Sequence, residues 1–221
     1  MTDDGVPVPD ARVTVTEGST VGLSTMTESY GGYRLYGVSG PTDIAVTKPG
    51  YDRQTQELTV TRNNQTLTFR LKLSAPREDV GGTYTLTVIA APECASKLPA
   101  EARERKYEVV LTQAGPSLTA TLEGATFYTS GNERYNRFRG TVEPDRLTFW
   151  LSGGGYFYIP DVLEQLTAST YFSPWGSVAL IGSGARRSGT LDGEIVIYGG
   201  PQASAWIASC ASRGHRFELT R

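Results

Sequence analysis

Gly82-Thr83-Tyr84-Thr85-Leu86-Thr87-Val88-Ile89-Ala90-Ala91-Pro92-Glu93-Cys94 decides how the larger part of this chain folds. Tyr84, Leu86 and Val88 alternate with Thr83, Thr85 and Thr87, the period-2 pattern of a half-buried strand, and a cysteine follows directly after it. The only other cysteine, in Ser209-Cys210-Ala211, stands just before the last strand-like run, Gly214 to Arg221. If these two outer runs pair antiparallel, the end of one meets the start of the other and the sulfurs become neighbours. Such pairing closes a sheet on itself and removes its edges, which points to a barrel rather than an open sheet.

Working inward, alternating or β-rich runs recur at Lys106 to Gln113, Ser117 to Glu123, Asn136 to Glu143, Arg146 to Ser152, Leu163 to Phe172, Ser177 to Gly184, Ser188 to Tyr198, Ala203 to Ser209 and His215 to Thr220. Turn sequences such as Ala114-Gly115-Pro116 and Glu143-Pro144-Asp145 separate them. The pattern predicts an antiparallel up-and-down β-barrel over residues 79–221, with a two-sheet sandwich as the alternative. Ser96 to Arg103 lacks β-branched residues and predicts a short helical turn across one end. In its general pattern this part resembles lipocalin-like barrels, although no single motif carries that resemblance.

The chain has 221 residues, 25 of them Gly and 12 Pro, with 38% hydrophobic and 20% charged residues, as in a turn-rich β protein. A net charge of −2 and no basic run longer than Arg186-Arg187 argue against a nucleic-acid partner. Two Cys cannot form a C-x-x-C redox pair at this spacing, and with the single His215 they supply too few ligands for a zinc site. A Cys94–Cys210 disulfide is favoured over two free thiols, which places the protein outside the cytoplasm: secreted, periplasmic or at the cell surface. Met1-Thr2-Asp3-Asp4 leads into polar sequence without a signal peptide or membrane span, so an export signal is expected to lie outside these residues.

Before residue 79 the runs are Ala11 to Thr16, Leu23 to Thr27, Tyr33 to Val38, Thr42 to Lys48, Gln56 to Thr61 and Thr66 to Leu73. Gly31-Gly32, Ser39-Gly40-Pro41, Lys48-Pro49-Gly50 and Asn63-Asn64 separate them as hairpin connections. Gly5-Val6-Pro7-Val8-Pro9-Asp10-Ala11, Val13, Val15, Thr27, Gly32-Tyr33-Arg34-Leu35, Ile44-Ala45-Val46 and Gly50-Tyr51 together resemble the carboxypeptidase regulatory-like domain, a transthyretin-like β-sandwich. The resemblance implies a non-catalytic accessory module over residues 1–75, of a kind found in secreted enzymes and bacterial surface proteins. It is also grouped with carbohydrate-binding-like folds, a statement about fold and not about a sugar site. Only Thr2-Asp3-Asp4 remains of the family's first strand, which leaves a sandwich edge to be covered.

Chemistry-bearing residues are sparse. A catalytic triad would have to use His215, expected within the closing strand, and no Gly-x-Ser-x-Gly elbow is present. Glu143, Asp145, Asp161, Glu164, Asp192 and Glu194 read as solvated turn and face residues. No cofactor motif or metal-ligand set occurs. Aromatic residues, in contrast, are concentrated after residue 79 and include all three Trp. Trp150, Tyr156, Phe157, Tyr158, Tyr171 and Trp175 gather in and beside connections, where apolar faces with polar tips suit a carbohydrate or small hydrophobic ligand at a barrel mouth. The bland reading of these rings is filling of the barrel interior.

The sequence therefore predicts an all-β protein: a transthyretin-like sandwich (1–75) followed by a disulfide-closed, lipocalin-like antiparallel barrel (79–221). Its expected role is non-enzymatic binding or accessory, possessing no cofactor, as part of a larger exported protein. Structural or adhesive modules of a cell-surface protein are the alternative. A cryptic hydrolase with a carboxylate site is the third.

Overall fold

Val13 and Val15 point inward from strand β1 (Arg12–Glu17) and are fully buried, as their alternation with Arg12, Thr14 and Thr16 requires. β1 pairs with β2 (Ser24–Met26) and β3 (Gly40–Thr47), and β3 with β4 (Gln54–Val60), giving an antiparallel sheet in the order β2-β1-β3-β4. Thr27 fixes the entry to this sheet: its hydroxyl donates to the Val8 carbonyl at 2.6 Å and accepts from the Ala11 amide at 2.8 Å.

The layer packed on this sheet is not built of regular strands. Tyr33 to Val38 and Thr66 to Leu73 form no named strand, and among the described residues only the bridges Thr2 to Leu71 and Tyr51 to Leu73 pair the second segment. Tyr33, Leu35, Phe69 and Leu71 still pack against the sheet, so the apolar alternation serves burial without a hydrogen-bonded ladder. Single bonds tie the layer instead. The Tyr33 hydroxyl donates to the Leu67 carbonyl at 3.0 Å, and the Met1 ammonium to the Phe69 carbonyl at 3.0 Å. Burial pushes the Tyr33 phenol up to about 12. A space of about 970 Å³ remains between sheet and layer.

The chain divides into two compact units, Met1–Pro76 and Arg77–Arg221. The computed structural model describes residues 1–2, 5–61, 65–129, 133–152, 162–200 and 205–221.

The second unit opens with β5 (Gly82–Ile89), a 3-10 turn (Pro92–Cys94) and a four-residue helix α1 (Ala100–Arg103). There follow β6 (Glu104–Ala114), β7 (Ser117–Glu123), β8 (Phe127–Thr129), β9 (Arg137–Val142), β10 (Arg146–Trp150) and β11 (Val162–Gln165). The chain ends with β12 (Thr170–Ser183), β13 (Arg186–Gly199), β14 (Ala205–Ala211) and β15 (Arg216–Thr220).

Eight of these strands close a ring in the order β5-β6-β7-β9-β10-β12-β13-β15, every neighbour antiparallel, and β15 returns to β5 with Arg216 opposite Ile89 and Thr220 opposite Thr85. This is the up-and-down barrel expected from the alternation; the two-sheet alternative is not what forms. β8, β11 and β14 lie outside the ring, and the sheet order β8-β11-β12-β13-β14 makes them a flared extension on the long β12–β13 hairpin.

β8 is not among the expected strands, and the division between β11 and β12 differs from the expected one. Leu163 to Phe172 is broken into β11 and the start of β12, whereas Thr170 to Ser183 runs unbroken through Ser173-Pro174-Trp175-Gly176, which reads locally as a turn. Gly176 sits directly opposite Gly193, both with positive φ (116° and 157°). A Cβ on either would meet the facing carbonyl oxygen of Asp192 or Trp175, at 2.1 and 1.9 Å. The hairpin therefore crosses a close backbone approach that only glycine permits.

Candidate functional site

The meander puts its connections unevenly. The turns 115–116, 143–145 and 184–185 lie at one end of the barrel, with the beginning of β5 and the end of β15. At the other end the chain leaves and re-enters the ring four times over longer stretches, between β5 and β6, β7 and β9, β10 and β12, and β13 and β15. Loops carried on a rigid scaffold are the usual place for binding residues, so this loop end is the candidate site.

Cys94 and Cys210 are joined there as a disulfide between the first and fourth connections, with Cα atoms 5.8 Å apart. His215, expected as an ordinary strand residue, is fully buried at the corner entering β15. Its Nδ1 accepts from the Ala91 amide at 3.0 Å and its Nε2 donates to the Cys210 carbonyl at 2.8 Å, which places the proton of a neutral imidazole on Nε2. Cys94, Cys210 and His215 are the one group of potential metal-ligating side chains among the described residues. With both sulfurs committed to each other, neither is a thiolate available to a metal.

Glu164 departs most from its expected solvated role, being 3% exposed. Arg105 grips it with two nitrogens, Nη2 to Oε1 at 2.6 Å and Nε to Oε2 at 3.1 Å, and the Tyr107 hydroxyl donates to Oε2 at 2.6 Å. Burial, reinforced by the Glu164 charge, drives the Tyr107 phenol far above its ordinary range. β11 and β6 are not sequence neighbours, so no local pattern announces this cluster.

The lumen is filled. A cavity of about 50 Å³ remains among Leu86, Val109, Leu122, Phe138, Phe149 and Val178, far below the roughly 300–1,000 Å³ of a ligand pocket. Phe149 and Leu151 border this cavity, so Trp150 between them faces outward; Phe172 and Pro174 border it, so Tyr171 and Trp175 face outward too. The structure thus brings Trp150, Tyr171 and Trp175 to one outer face near the loop end instead of into the lumen. Trp150 pairs with Ser177, two positions along β12 from Trp175. The Trp175 indole donates to the Ser173 hydroxyl at 2.9 Å, which itself donates to the Val162 carbonyl at 2.6 Å and lies 3.0 Å from the fully buried Ser152 hydroxyl. Tyr156, Phe157 and Tyr158, the remaining aromatic candidates, lie outside the described residues, as does Asp161.

Among the described residues no helix is long and apolar enough to cross a membrane. No curated protein and no solved structure matches the chain. The Cys94–Cys210 disulfide is consistent with an extracytoplasmic location. Residues 1–73 match the family model of the carboxypeptidase regulatory-like domain, so the N-terminal unit carries this domain, typically a non-catalytic module of larger proteins.

Proposed function

We propose that this chain is a non-enzymatic, extracytoplasmic binding or accessory protein in which residues 1–75 form the accessory module and residues 79–221 hold the ligand, as part of a larger exported or cell-surface protein. The ligand is a carbohydrate or small amphipathic molecule, held outside the barrel wall at its loop end. The observation that carries this reading is the shared outward face of Trp150, Tyr171 and Trp175, with the Trp175 indole held by the Ser173 hydroxyl. A lumen of about 50 Å³ directs the ligand to that exterior surface. Glu164, enclosed by Arg105 and Tyr107, supports packing rather than hydrolysis.

Titration of the intact protein with glycan and apolar small-molecule panels, read by Trp fluorescence, tests the site. A saturable change that is lost in Trp175→Ala supports it; a full panel without response removes it. The filled lumen also favours a second reading, structural or adhesive modules, and that reading gains if no ligand perturbs the Trp emission while the isolated chain binds its own cell envelope. Thiol titration of denatured, unreduced protein checks the compartment: two reactive thiols in protein from its native source would contradict an oxidising location.

A further inference from the structure

We propose that Tyr171, Tyr198 and Trp206 form a platform across which a neutral glycan chain lies, perpendicular to strands β12, β13 and β14. This rests on the loop-end reading above and extends it by two residues and a ligand class. Tyr171 stands directly opposite Tyr198, and Tyr198 directly opposite Trp206. Direct cross-strand partners project from the same face at strand spacings of about 4.8 Å, so the three rings make a row roughly 10 Å long. Tyr171 and Tyr198 are half-buried, and Trp206 is 65% exposed.

Trp206 is in this row because of a local irregularity. The β13–β14 register shifts between Ile197 and Tyr198, so that Ile197 faces Ala208 whereas Tyr198 faces Trp206. Ile207 is taken out of the ladder, and its Cδ1 lies 2.6 Å from the point a Cβ on Gly199 would occupy. Without this bulge, strict alternation would put Ile207, not Trp206, opposite Tyr198. Fourteen consecutive pairs between β12 and β13 hold the other two rings, so the surface is preorganised.

The chemistry selects the ligand. Each Tyr or Trp offers an apolar face with a hydrogen-bonding tip, matching the C–H faces and hydroxyl rim of a pyranose. Gln165, exposed and opposite Tyr171, extends the row with an amide. Further along the same face, Glu194 opposes Trp175 and Asp192 opposes Ser177. The rows from Tyr171 to Trp175 carry carboxylate and no Lys or Arg, which disfavours an anionic polysaccharide.

Calorimetric titration of the full chain with cellohexaose, maltohexaose, mannohexaose and, as the anionic control, hexagalacturonate tests the platform. At least one neutral hexasaccharide is expected to bind at least tenfold more tightly than hexagalacturonate. Trp206→Ala and Tyr198→Ala are expected to weaken that binding at least tenfold, with thermal melting showing the exposed Trp206 variant to be folded. Unchanged affinity in folded Trp206→Ala, preference for hexagalacturonate, or no binding of any neutral hexasaccharide overturns the proposal. Binding of the apolar probe 8-anilinonaphthalene-1-sulfonate that is lost in Trp175→Ala, without any neutral-glycan binding, would sink the glycan platform while leaving the loop-end site standing.

Discussion

The imidazole of His215 donates from Nε2 to the carbonyl of Cys210 at 2.8 Å while its Nδ1 accepts from the amide of Ala91. One ring thus joins the connection that follows β5, the end of β14 and the entry to β15, beside the disulfide that links the first two of these segments. The bond between sulfurs restricts the chain; the imidazole satisfies the backbone groups that this convergence buries.

Replacing His215 by Phe is expected to lower the stability of the barrel unit by about 2–4 kcal/mol, because it leaves one donor and one acceptor unpaired in a buried site. His215→Asn, which retains both a donor and an acceptor, should recover part of the loss. Urea unfolding followed by Trp fluorescence, with all Trp in the second unit, reads both variants.

Reduction of the disulfide, or the Cys94→Ser, Cys210→Ser double variant, releases a loop with a sequence separation of 116. Loop entropy gives a loss of about 4–5 kcal/mol for a closure of this length. Calorimetry should show the barrel transition falling in temperature, with the transition of the cysteine-free first unit unchanged.

Glu164→Ala should cost about 3–5 kcal/mol, because it strips a largely buried carboxylate from Arg105 and Tyr107 and leaves the guanidinium without its charge partner. Glu164→Gln should cost less. It should also lower the Tyr107 phenol part of the way back, since burial, the larger cause of its upward shift, stays in place. Ultraviolet titration of the tyrosines measures that change.

Arg187, 4% exposed at its side chain, reaches Glu78 through Nη2 at 2.6 Å and the Gly182 carbonyl through Nη1 at 2.6 Å. The Arg187 hydrogen bond holds the Glu78 carboxyl below its usual range. A depressed carboxyl contributes stability that is present above its unfolded value and is lost as pH falls through the folded one. The barrel should therefore lose stability on acidification below the ordinary carboxylate range, and Glu78→Gln should flatten that dependence. Melting temperature against pH in both proteins measures it.

An alanine at Gly193 would force its Cβ onto the Trp175 carbonyl at the closest approach of β12 and β13, at a φ that side chains rarely adopt. A loss of more than about 2 kcal/mol is expected, as for other combinations of steric overlap and unfavourable backbone geometry. Serine at the open position Gly184, where nothing lies within 4 Å of an added Cβ but φ is +61°, should cost less. Denaturation midpoints rank the two.

Most ring strands of the barrel were legible because each has one face in the core and the other in water: Leu118, Ala120 and Leu122 are buried while the residues between them are not. The same rule fails for Ser173-Pro174-Trp175-Gly176, where turn-forming residue types sit inside a strand because the facing Gly193 leaves room for the approach. It fails again for Tyr33 to Val38, where alternation guarantees a buried face and cannot supply a neighbouring strand. Whether Trp150, Tyr171 and Trp175 fill the lumen or face outward depends on strand parity, and parity is set by the register.

The sequence by itself determined the all-β class, the resemblance of its N-terminal part to a regulatory-like domain, and the closure of the barrel by its outer strands and two cysteines. These rest on local periodicity and on which chain segments must meet. Only the tertiary structure decided that the lumen is filled, that Glu164 is buried against Arg105, that His215 locks the closure, and that Tyr171, Tyr198 and Trp206 share a row. Each of these depends on residues far apart in sequence being brought within a few ångströms by register, and a one-residue slip would turn every one of those side chains to the opposite face.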